Sequence, residues 1–93
     1  MFLGVPLAND WNGSRVTNVN TISRNGFFWA EDTATGVPDG VTGVSVIVHW
    51  RQSYGTGNYG MQILMGLNTD IMFARQSAGI NAWKDWKQIQ FVA

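Results

Sequence analysis

The sequence contains no cysteine, so neither a disulfide nor a thiolate metal site holds this chain together. It has a single histidine, His49, and a zinc site built around it would need carboxylates gathered from distant strands. Charge is also scarce: 13% of the 93 residues are charged, six basic against six acidic, for a formal net charge of zero with neither sign clustered. A nucleic-acid partner needs a basic stripe to neutralise phosphates, and Lys84 and Lys87 do not make one. The opening Met1–Ala8 is apolar, but Pro6 and Asp10 interrupt it and it is too short to cross a bilayer. Membrane insertion is therefore not expected, and residues 1–17 read as an extended segment or linker ahead of one β domain over residues 18–93.

Catalytic patterns are missing in the same way. No serine sits in a Gly-x-Ser-x-Gly elbow, and nothing marks a nucleophile for His49 to serve as base. Gly36, Gly40 and Gly43, and again Gly55, Gly57 and Gly60, lack the Gly-Lys-Ser/Thr that follows a phosphate loop, and they read as turn glycines. Asp10 and Asp70 lack the spacing of a calcium loop. Glu31, Asp32, Asp39, Asp70 and Asp85 supply carboxylates, but a glycosidase pair needs a cleft that a domain this small has little room to build. The expectation is a non-enzymatic protein with no cofactor and no metal.

What is present is glycine, β-branched residues and aromatic rings, without apolar residues at helical spacing. This pattern predicts an all-β fold, a small antiparallel meander or sandwich-like knob with long loops. Asn25-Gly26 turns the chain into an aromatic strand, Phe27–Ala30; 31–43 is a surface loop. In 43–51, Val44, Val46, Val48 and Trp50 share one face, with Ser45, Ile47, His49 and Arg51 on the other. Both faces carry apolar side chains, which predicts a central strand or one that joins an interface as well as a core. Further strands are expected at 59–66, 71–76 and 83–92, with 18–23 a short strand or a helical turn. The connections are too short for parallel crossovers. Within such a strand, His49 reads as a partly buried or interfacial residue with its ring hydrogen-bonded, capable of conferring pH sensitivity.

Five tryptophans are the excess in this composition. Trp29, Val46, Val48, Trp50, Ile63, Phe73, Trp83 and Trp86 are expected to fill a core or a subunit interface, Trp83 and Trp86 as an apolar plug at one end of the domain. Trp11, Arg51, Tyr54, Asn58 and Tyr59 are the candidates for a shallow carbohydrate site, where rings stack on sugars and polar groups bond hydroxyls.

In order along the chain, Asn20-Thr21-Ile22, Asn25-Gly26-Phe27-Phe28, the loop ending at Gly43 and the valine-rich strand to Trp50 are followed by Gln62-Ile63-Leu64, Asp70–Arg75 and Trp83–Ile89. This ordered set resembles the pyocin knob domain of bacteriophage tail fibres and phage-derived bacteriocins. The resemblance covers about four fifths of the chain and marks no catalytic residue. It implies a homotrimeric module of a virion appendage, partnered by other virion proteins and by bacterial surface polysaccharide. It also leaves open an architectural role that joins or caps virion parts, or an accessory role beside a polysaccharide-degrading tailspike.

Overall fold

A computed structural model describes residues 14–52, 59–79 and 82–90. They form one antiparallel sheet. β1 (Gly26–Ala30), β2 (Ser45–Arg51), β3 (Gly60–Gly66) and β4 (Met72–Gly79) follow one another as a meander, and the last stretch returns along the outer edge of β4 in two pieces, β5 (Ala82–Trp83) and β6 (Lys87–Ile89). The all-β, antiparallel expectation holds, and the loops are long as expected. Among the described residues there is no second sheet, however. Its place is taken by the segments before and after β1, which lie across one face; no described segment lies across the other.

Those segments are held by few but specific bonds. The stretch expected to be strand or helical turn is a 3-10 turn, Val19–Thr21, started by Asn18, whose side-chain oxygen accepts from the Asn20 amide at 2.9 Å. Residues read as linker belong to the fold: the Trp29 amide donates to the Ser14 carbonyl, and the Val16 amide donates back to Trp29. At the other end of β1, the Asn25 side chain clamps Arg51, accepting from its amide at 2.8 Å and donating to its carbonyl at 3.1 Å. The loop between β1 and β2 is drawn together where Asp32 accepts from the Gly43 amide at 2.7 Å.

The register explains which side chains are inside. Phe28, Ile47, Leu64 and Phe73 lie side by side across four strands on the covered face. With Val19, Ile22, Ala30 and Val41 they make the buried core, and Val16, Ala34, Val37, Ile71 and Trp86 pack against it. The opposite face carries Trp29, Val46, Met65, Met72 and Ile89 in one row and Phe27, Val48, Ile63, Ala74 and Lys87 in the next. Of the residues expected in a core or interface, Phe73, Trp83 and Trp86 therefore face inward, whereas Trp29, Val46, Val48, Trp50 and Ile63 stand on the uncovered face and take no part in the buried core. The reason is local. Both faces of β2 carry apolar side chains, so alternation alone does not decide which one the loops cover, and they cover the face bearing Ile47 together with Ser45, His49 and Arg51.

Gly36 shows how tightly that cover is fitted. Its φ of 90° lies in the region that favours glycine, and an added Cβ would stand 2.7 Å from Val19 Cγ2 and 2.6 Å from Asn20 Oδ1. Gly36→Ala is expected to cost about 2 kcal/mol or more, the sum of backbone strain and displaced neighbours. Urea denaturation checks this, and a loss below about 0.5 kcal/mol would mean that the loop relaxes freely.

Candidate functional site

The covered face contains a polar chain that no local sequence feature announces. His49, Gln62 and Arg75 occupy one row on β2, β3 and β4, all three buried. Gln62 is the centre. Its Oε1 accepts from Arg75 Nε at 2.9 Å, and its Nε2 donates to the Val19 carbonyl at 2.7 Å and lies 3.1 Å from His49 Nδ1. Because both bonds from Nε2 use amide hydrogens, His49 Nδ1 must accept, which leaves its proton on Nε2 and the ring neutral. Burial, with the positive charges of Arg51 and Arg75 nearby, lowers the His49 pKa from 6.5 to about 4.

Arg75 is the other end of the chain. One of its terminal nitrogens donates to Asn20 Oδ1 at 2.8 Å, and its guanidinium lies between two indoles, 4.9 Å from the ring centre of Trp83 and 4.1 Å from that of Trp86. Arg51 lies over Trp83 at 4.7 Å and donates to the Gly79 carbonyl at 3.0 Å. Both indoles are fixed by their N–H groups, Trp83 to the Asn20 carbonyl at 3.0 Å and Trp86 to the Gly36 carbonyl at 2.7 Å. Burial lowers the Arg75 pKa to about 10, so it remains a cation at neutral pH. Among the described residues its charge is balanced by ring faces and neutral oxygens; the ion pair found there is Arg15–Glu31, on the surface. Trp83 and Trp86, expected as an apolar plug, thus pack around a charged group. Three residues apart, they both turn inward because the strand is interrupted between β5 and β6.

Lys84 follows Trp83, and its amide donates to the Gln76 carbonyl at 2.9 Å. That bond brings Lys84 to the rim of the uncovered face. There a groove of about 360 Å³ is lined by Trp50, Tyr59, Gly60, Met61, Gln76, Ser77 and Lys84. Trp50 is 50% exposed and Tyr59 is 70% exposed. Two half-free rings beside an amide and an ammonium on a hydrogen-bonded sheet can stack on a flat, hydroxyl-rich ligand and bond to its edge.

Of the carbohydrate candidates, Tyr59 lies in this groove. Arg51 is on the opposite face with its guanidinium over Trp83, so the two are not brought together. Trp11, Tyr54 and Asn58 lie outside the described residues. Trp50, Gln76 and Lys84 were not among the candidates: Trp50 reads as a core residue because it continues the valine alternation, and only the strand register reveals that this alternation faces outward. Among the described residues, no three His, Asp or Glu side chains gather to hold a metal ion, and no helix is long and apolar enough to cross a membrane. Comparison of the chain with family models, curated proteins and solved structures returns no match.

Proposed function

We propose that this chain is a non-catalytic module of a phage-type virion appendage, a tail fibre or receptor-binding protein, that attaches to bacterial surface carbohydrate. The observation that carries the reading is the groove holding the exposed rings of Trp50 and Tyr59 beside Gln76 and Lys84. Trp50, Gly60, Met61 and Gln76 of its lining belong to paired strands, which holds the Trp50 ring in place ahead of binding. The site is open and shallow, which suits weak contact repeated on several copies; in a homotrimer, avidity would raise the effective affinity without a deeper pocket.

A panel of bacterial surface glycans, followed by titration of the hits, tests the reading. Trp50→Ala and Tyr59→Ala are each expected to weaken glycan binding about tenfold, the loss of one stacking ring, while the melting temperature changes little because both side chains are exposed. Silence across the panel would sink the attachment reading. The second reading is architectural, a module that joins or caps other virion proteins, and the exposed apolar side chains of Phe27 and Met65 on the face away from the core favour it. Capture of a defined virion component by a glycan-silent protein would decide for it.

A further inference from the structure

The groove holding Trp50 and Tyr59 does not end at Lys84. Met61, Gln76 and Lys84 also line a second hollow, of about 350 Å³, so the two adjoin and make one trough on the sheet face away from the core. Strand register gives its course. Trp50, Met61 and Gln76 are partners in one row on β2, β3 and β4, and Ile63, Ala74 and Lys87 are partners in the next, on β3, β4 and β6. From β2 to β6 is three strand spacings, about 14 Å, which is longer than a single sugar ring and suits a short oligosaccharide lying across the strands.

The two ends of the trough differ in chemistry. At the first, the exposed rings of Trp50 and Tyr59 dominate. At the second, Ile63 and Ala74 make an apolar floor, and the exposed side chains of Lys84, Asp85 and Lys87 stand around it. Arg75 lines this end too, but its guanidinium is held between the indoles of Trp83 and Trp86. Asp85 forms an ion pair with neither lysine; among the described residues the ion pair is Arg15–Glu31. Two lysines less one aspartate leave one net positive charge here, in a chain whose formal net charge is zero.

An apolar floor under a single net positive charge fits a ligand unit that is apolar on one side and carries one negative charge at its edge. A hexuronate has that form: the C–H face of its ring can pack on Ile63 and Ala74 while its carboxylate reaches the ammonium groups. A phosphate monoester, at about −1.5 to −2, exceeds what the two lysines less Asp85 offset. A neutral sugar leaves both lysines unused.

We propose that the trough binds an acidic oligosaccharide, with a neutral sugar stacked at Trp50 and Tyr59 and a uronate carboxylate held by Lys84 and Lys87; this rests on the attachment reading and narrows it to acidic surface glycans.

Oligomers of mannuronate, of guluronate, of galacturonate and of alternating glucuronate and N-acetylglucosamine are titrated into the full chain, each beside its carboxyl-reduced counterpart, which keeps the linkages and loses the charge. At least one uronate oligomer is expected to bind about fivefold more tightly than its reduced form, the contribution of two exposed ion pairs. That preference is expected to fade between about 0.1 M and 1 M salt, as the Debye length falls from about 10 Å to about 3 Å. The double variant Lys84→Gln with Lys87→Gln is expected to lose it, with the melting temperature confirming that the variant is folded. A preference that persists in this variant would place charge recognition elsewhere and overturn the site. Equal binding of acidic and reduced forms, or binding of neutral glycans alone, would overturn the acidic assignment and leave the attachment reading standing. Silence from acidic and neutral glycans alike would end both. Polyacrylate, a polyanion without sugar rings, binding as tightly as the preferred uronate would reduce the effect to charge attraction and overturn the proposal also.

Discussion

Replacing Arg75 by alanine is expected to lower the free energy of unfolding by about 4 kcal/mol and the melting temperature by on the order of 20 °C. The substitution leaves Gln62 Oε1 and Asn20 Oδ1, both facing the interior, without the donors that now lie 2.9 Å and 2.8 Å away. Each orphaned acceptor costs about 1 to 3 kcal/mol. It also removes the planar group between Trp83 and Trp86, so the two indoles lose their shared stacking partner and a cavity remains. Arg75→Lys keeps a positive charge but not the flat fork, and it is expected to recover less than half of the loss. Full recovery by lysine, measured by denaturant unfolding, would mean that charge alone matters and that the stacked geometry is incidental.

The second large effect is a loss of stability in mild acid. His49 accepts a hydrogen bond from Gln62 and is surrounded by the cations Arg51 and Arg75, so the fold tolerates only the neutral ring. Its pKa is about 4 in the folded protein, against the ordinary 6.5 that the unfolded chain approaches. Above pH 6.5 both states are neutral and the full stability is present. As pH falls from 6.5 toward 4 the unfolded state binds the proton and the folded state does not, so stability declines; below about 4 this loss levels off. The gap between the two values corresponds to about 3 kcal/mol. His49→Asn keeps an acceptor near the position of Nδ1 but cannot titrate. Unfolding measured at a series of pH values is expected to show the decline in the native chain and its absence in this variant. An equal slope in both would place the acid sensitivity elsewhere.

Both effects bear on function through the same short segment. Trp83 and Trp86 are pinned inward by their N–H bonds and by Arg75, and Lys84 between them is thereby directed to the groove that holds Trp50 and Tyr59. The polar chain on the covered face thus supports a wall of the groove proposed for glycan on the other face. A buried network with its acceptors filled is stiff, and a stiff support suits a recognition surface whose rings must be presented in advance.

The amino-acid sequence by itself determined the fold class and the order of the strands. Glycine-punctuated, β-branched runs with short links leave an antiparallel meander as the economical arrangement, and Asn25-Gly26, the strand ending at Arg51 and the turn after Gly66 fall where those signals place them. Tertiary structure alone decided which face is covered, because Val46, Val48 and Trp50 alternate as regularly as Ser45, Ile47 and His49. It also decided that His49, Gln62 and Arg75 form one chain, since they are 13 residues apart in sequence at each step and meet only through strand register. Periodicity is a property of one strand, whereas coverage and register belong to neighbouring segments, and the physical choice between two faces that each carry apolar side chains is made by the loops that pack on one of them.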